Sequence, residues 1–162
     1  MPTVAAVAGF CTGGGAAIAA ACDFRIAAAS AQFGFPIART LGNCLSMGNY
    51  ARLAALIGPQ RVKEMILLAK LVDGPTALQI GLVSELVDDV AALHARAEVL
   101  AKTLAGHAPI TMRTTKEALR RLQAKLGDEN IDDLIRHTYA SADFKEGMEA
   151  FLQKRPPKWT GS

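Results

Sequence analysis

The chain has 162 residues, 51% of them apolar and 20% charged, with a formal net charge of +3. This is a globular composition with enough length for one sizeable core, and it excludes a disordered chain. The mild charge, with no basic run interleaved with aromatics, excludes a nucleic-acid surface. Three cysteines (Cys11, Cys22, Cys44) without a C-x-x-C pair argue against a zinc site or a disulfide framework and for a reducing, cytoplasmic setting.

Residues 1–57 carry only four charges, Asp23, Arg25, Arg39 and Arg52, so the first third reads as core and the remainder as amphipathic helices around it. Met1–Ala8 predicts a buried strand with Pro2 at its edge. The uncharged start lacks the basic flank of an export signal, and its glycines interrupt any spanning helix. Gly9-Phe10-Cys11-Thr12-Gly13-Gly14-Gly15 then predicts a tight turn, and the alanine-rich stretch behind it a helix over Gly14–Ala21. Asp23–Ala28 and Ser30–Gly34 predict short strands, and Phe35-Pro36 opens a loop through Gly42. Helical spacing predicts helices over Asn43–Ile57 and from Pro59 to about Leu71, broken at Gly58-Pro59. Asp73–Ile80 reads as a short capped helix and Leu82–Leu86 as a strand. Three longer helices follow over Asp89–Ala105, Ala108–Leu126 and Ile131–Gln153, the last bent near Ser141–Asp143, and Arg155–Trp159 forms an extended tail.

The glycine turn is the feature most suited to chemistry. Consecutive glycines cost backbone entropy and let the chain approach a ligand closely. At a helix start they present unpaired N–H groups and the positive dipole end, which suits either a phosphate or an oxyanion. Gly9, Gly13 and Gly15 match the spacing of short-chain dehydrogenases, but Tyr50 and Tyr139 have Ala54 and Asp143 where that class needs a lysine. Ser46 lacks the first glycine of a nucleophile elbow. His94, His107 and His137 have no metal-ligand spacing and read as solvated or helix-terminal. Cys11 and Cys44 read as small core residues, and Asp128, Glu129, Asp132 and Asp133 as favourable charges at a helix start.

Several stretches together resemble the enoyl-CoA hydratase/isomerase (crotonase) superfamily. They are Pro2–Gly9, Gly13–Gly15, Cys22–Ala27, Ala31–Pro36, Ile80–Val83, Thr115–Leu119 and Asp143–Phe151. The resemblance implies an α/β chain: part of a ββα spiral over residues 1–87, then a helical trimerisation region and tail over 88–162. Family members extend further at the front, so Met1 is expected to correspond to an internal position of the full fold. The resemblance further implies an acyl-CoA thioester as substrate, coenzyme A entering only as part of it, no metal, and self-association as a trimer or hexamer. Gly14 matches the backbone donor that holds the enolate-like oxyanion. Gly13, Phe35, Pro36, Ile37, Arg39 and Leu41 match the acyl-binding region, and Phe151, Lys154 and Lys158 match a tail that approaches the CoA adenine and phosphates.

One departure stands out. Hydratases of this family place glutamates where this chain has Ala17 and Ile37, and no Asp or Glu occurs between Asp23 and Glu64. Neither alanine nor isoleucine transfers protons. The sequence therefore predicts a lyase or isomerase of the family other than a two-glutamate hydratase. The acid or base would come from elsewhere, with Arg39, Asn43, Cys44 and Ser46 the local polar candidates. The alternative is a non-catalytic acyl-CoA-binding or assembly subunit. Asp23 is expected near Arg25 or a helix N-terminus, in a structural role.

Overall fold

A computed structural model describes residues 1–162. The chain alternates between two small sheets. Strand β1 (Val4–Val7) lies in the first; Gly9, at φ +68°, turns the chain into β2 (Phe10–Thr12) of the second. Helix α1 (Gly14–Ala21) returns the chain to the first sheet, where β3 (Phe24–Ala28) pairs parallel with β1, Val4 opposite Phe24. Strand β4 (Gln32–Gly34) then pairs parallel with β2. This strand–strand–helix step alternates the chain between the two sheets through local connections.

A one-turn helix α2 (Ile37–Thr40) and a long, kinked α3 (Met47–Leu67) follow. Strand β5 (Val72–Asp73) closes the second sheet antiparallel to β4, and after α4 (Gly74–Gln79) strand β6 (Glu85–Val87) joins β3 in the first. The C-terminal half is helical: α5 (Val90–Ala105), α6 (Pro109–Leu126), α7 (Asp132–Ala140) and α8 (Ala142–Leu152). No helix is long and apolar enough to cross a membrane.

The core mixes small and large residues. Ala27, Ala28 and Ala31 are fully buried, and small side chains there let elements approach closely, while Phe33 of β4 and Phe35 are 2% and 1% exposed. A second cluster joins Ile26 and Ala28 to Leu93 of α5, with Ala97 and Leu100 at its margin. Asp73, Asp89 and Ser141 cap α4, α5 and α8 by accepting from the N–H groups of Thr76, Ala92 and Phe144 at 2.8, 2.8 and 3.0 Å.

Most predicted elements are present, with informative differences. Strand β2 lies inside what reads as a turn, because three residues between glycines carry no periodicity. Helix α2 and strand β5 are too short to register for the same reason. The predicted break at Gly58-Pro59 is present: Gly58, at φ +77° and ψ 153°, is non-helical and divides α3 into two helical segments. The helix predicted from Asn43 begins at Met47, and the strand predicted over Leu82–Leu86 lies at Glu85–Val87, because the N–H groups of Leu82 and Val83 are taken by the carbonyl of Ala77. The bend at Ser141 separates α7 from α8.

One side of the molecule is bare. Strands β1 and β2 each have a neighbour on one side only, and Phe10 and Ile18 beside them are 78% and 70% exposed. The first third is therefore core on one side and open on the other, rather than enclosed all round.

Candidate active site

Gly13 pins the turn. Its N–H donates to the carbonyl of Gly34 at 3.0 Å, and its own carbonyl accepts from Ala17 N at 3.0 Å. The first bond brings the end of β2 beside the end of β4. The second starts α1. Its φ of +54° and ψ of −120° suit glycine. Helix α1 then begins without any side-chain cap, and no protein group accepts from the N–H groups of Gly14, Gly15 or Ala16. Gly14 and Gly15 are exposed, and a Cβ added at Gly13, Gly14 or Gly15 would meet nothing within 4 Å. The turn thus offers free donors and a positive dipole end to open space.

The far end of α1 is fastened by a charge. Arg25 is 8% exposed on an otherwise apolar strand. Its Nε donates to Leu82 O at 2.8 Å, and its Nη1 donates to Cys22 O and Ala19 O at 2.6 and 3.2 Å. Burial lowers its pKa, but a guanidinium stays charged, which suits the carbonyl end of a helix. Asp23 does not bond Arg25. It accepts from Thr3 N and Oγ1 at 2.7 and 2.8 Å and pairs with Lys116 of α6, tying β1, β3 and α6 together. The structural role expected of Asp23 holds, with different partners.

Opposite the turn, Phe35 and Ile37 are buried and share the main core with Ala16; Ala17 lies at its margin. Pro36 caps α2, its carbonyl accepting from Arg39 N and Thr40 Oγ1 at 3.1 and 2.9 Å. Arg39 is exposed, whereas Leu41 is half-buried under α8. A Cβ at Gly147 would stand 2.6 Å from the carbonyl carbon of Leu41, so that position accepts glycine alone. In the loop after α2, the side-chain oxygen of Asn43 is buried without a partner.

Gly13, Gly14, Phe35, Pro36 and Ile37 are therefore neighbours through the Gly13–Gly34 bond, and Leu41 lies where α8 meets the α2 loop. Phe151 is 65% exposed on α8, and Lys154 and Lys158 are exposed beyond it. The carrying element, more than those three side chains, meets the loop. His94, His107 and His137 are all exposed, as expected.

The tail is fixed in a way sequence reasoning missed. Asp143 accepts from Thr160 N and Gly161 N at 2.6 and 2.9 Å, and Glu146 accepts from Arg155 Nη2 and Lys158 N at 2.9 and 2.8 Å. This lays Trp159 against Gly42. The Arg155 guanidinium and the Lys158 N–H lower the Glu146 pKa from 4.5 to about 2. A carboxyl depressed on folding stabilises fully above its unfolded pKa, and the contribution is lost as pH falls through the folded value. The tail is thus expected to loosen between pH 4.5 and about 2. Trp159 is the only tryptophan, so its emission should shift red in that window, and a flat profile there would contradict the pinning.

Known proteins resemble the chain over its full span. The family model for enoyl-CoA hydratase/isomerase matches residues 1–162. The 2,3-dehydroadipyl-CoA hydratase of Escherichia coli is 35% identical over 165 residues, covering 99% of this chain and 63% of that protein. The short-chain-enoyl-CoA hydratase of Clostridium acetobutylicum is 33% identical over 159 residues, covering 95% and 59%. A solved methylmalonyl-CoA decarboxylase in complex with 2-nitronate-propionyl-CoA superposes with a TM-score of 0.88 at 29% identity, covering 99% of this chain and 63% of that one. The chain thus spans about three-fifths of the length of the relatives it matches. With its alternating sheets, glycine turn and helical C-terminal half, it belongs to the enoyl-CoA hydratase/isomerase family and has the crotonase fold.

Proposed function

We propose that this chain processes an acyl-CoA thioester, using the N–H of Gly14 to hold the negative charge that develops on the thioester oxygen. The observation that carries this reading is the uncapped start of α1, where free donors face open space beside Gly34–Ile37. Fixed donors aimed at developing charge need no reorganisation during reaction. Ala17 and Ile37 leave the ordinary two-carboxylate hydration without its proton carriers, so the activity is that of a different lyase or isomerase of the family. A second donor would come from further polypeptide, and an acid or base either from there or from the local polar residues Arg39, Asn43, Cys44 and Ser46.

Phe151, Lys154 and Lys158 remain the candidates for contacting the CoA portion. Residues 88–162 are the candidate region for assembly into a trimer or hexamer around the spiral core of residues 1–87. The three free cysteines suit a reducing cytoplasm.

Calorimetry with butyryl-CoA and turnover with a panel of acyl-CoA esters test the reading. We expect binding and turnover of at least one ester. Absence of binding would overturn it. Binding without any turnover would favour the second reading, a non-catalytic acyl-CoA-binding or assembly subunit, which Ala17 and Ile37 also suit.

A further inference from the structure

A helix of one turn is a weak wall on its own, because few main-chain bonds repay the ordering of its residues. Helix α2 is such a wall. It follows directly on Gly34, Phe35 and Pro36, beside the glycine turn. The Ile37 carbonyl accepts from Leu41 N and Gly42 N at 3.1 and 2.8 Å, so Ile37 and Gly42 are tied to each other. Ile37 packs in the main core, whereas Ala38 lines a cavity of about 320 Å³. Gly42 lines it too, as do Thr138, Ser141 and Trp159 from the C-terminal elements. The wall therefore has space to give.

Two contacts hold it. The main chain of Leu41 lies against Gly147 of α8, where no Cβ fits. Gly42, at φ +64°, lies against Trp159: a Cβ there would stand 3.2 Å from the Trp159 Cζ3 and 3.3 Å from the Asp143 carbonyl oxygen. The indole is fixed by its neighbours in the chain. Lys158 N donates to Glu146 at 2.8 Å, and Thr160 N and Gly161 N donate to Asp143 at 2.6 and 2.9 Å. Both carboxyls have lowered pKa values, so both are charged and the fastening is complete at neutral pH. Trp159 stays 40% exposed, so the ring covers the α2 loop without being part of the core.

We propose that Trp159 is a positioning residue that limits the length of acyl chain the site accepts, by bracing α2 through Gly42. This rests on the thioester reading above and deepens it. With the thioester oxygen at Gly14, the acyl chain runs along Gly34–Ile37 towards α2. A short chain ends before the helix. A longer one has to push α2 towards the cavity at Ala38, and the indole on Gly42 opposes that shift. Without the ring, the bonds within the α2 loop remain, but Gly42 is free to move. Each further methylene that then finds apolar cover strengthens binding about fourfold.

The test measures butyryl-CoA and octanoyl-CoA affinity by calorimetry at neutral pH in the parent, Trp159→Phe and Trp159→Ala, with thermal unfolding of each. In Trp159→Ala we expect affinity for octanoyl-CoA relative to butyryl-CoA to rise by about tenfold or more, as two further methylenes find cover. Trp159→Phe should lie between. A merely structural indole would lower Tm and leave this ratio alone, so a parental ratio in folded Trp159→Ala would overturn the brace and keep the thioester reading. Should that variant not fold, the parent decides by the emission of Trp159, its only tryptophan. A larger emission change on saturation with octanoyl-CoA than with butyryl-CoA supports the brace, and equal or absent changes overturn it. Absence of binding of both esters to the parent would overturn the brace and the thioester reading together.

Discussion

Arg25→Met is expected to lower the unfolding free energy by about 2–5 kcal/mol, among the largest effects of any single change in this chain. The Nε and Nη1 of Arg25 serve three carbonyls from two elements: Leu82 before β6, and Ala19 and Cys22 at the end of α1. Methionine fills much of the same volume but donates nothing. Leu82 is 4% exposed, so its carbonyl would lie unpaired in the core, at a cost of about 1–3 kcal/mol. Ala19 O keeps a bond from Cys22 N at 3.2 Å and loses less. The helix end also loses the positive charge that its carbonyls favour. For a chain of this size, the sum corresponds to a fall in Tm of roughly 4–20 °C. Arg25→Lys should fall between the two, because one ammonium cannot span carbonyls on both sides as the fork does. Thermal unfolding decides the matter. A Tm within about 2 °C of the parent for Arg25→Met would show that water or neighbouring groups satisfy these carbonyls.

This fastening explains why an arginine stands in an apolar strand. The charge between Phe24 and Ile26 is legible in the sequence, but its partners are not, since they are main-chain oxygens up to 57 residues away. The same limit applies elsewhere. Helix α1 was legible to the residue because alanine content and the glycine triplet bound it on both sides. The alternation of β1 and β3 was legible from apolar runs. Strands β2 and β5 and helix α2 were not, because two to four residues hold no period, and their structure comes from pairing or a Pro36 cap. At the candidate site, the donors could be read locally, as could the absence of carboxylates. The seating of α8 on Leu41 and of Trp159 on Gly42 could not, because both depend on contacts between segments more than a hundred residues apart.

Gly14→Pro is expected to reduce acyl-CoA turnover by a factor on the order of 10²–10³, about 2.7–4 kcal/mol of transition-state stabilisation, while leaving ester binding nearly unchanged. Proline is well suited to isolating this effect. Gly14 is the first residue of α1, where proline's fixed φ is compatible with the helix and the missing N–H breaks no helical bond. A Cβ there meets nothing within 4 Å, so the fold has room for it. The preceding Gly13 sits outside the α region that proline disfavours in its neighbour. Gly14→Ala supplies the comparison, since it adds the Cβ but keeps the donor. Its loss measures the room the ester needs, and the further loss in Gly14→Pro measures the N–H. If the donor acts chiefly on developing charge, the fall should be in kcat with KM little changed. Equal falls in the alanine and proline variants would mean that the glycine turn serves only as space, and the negative charge would then have to be held by other groups.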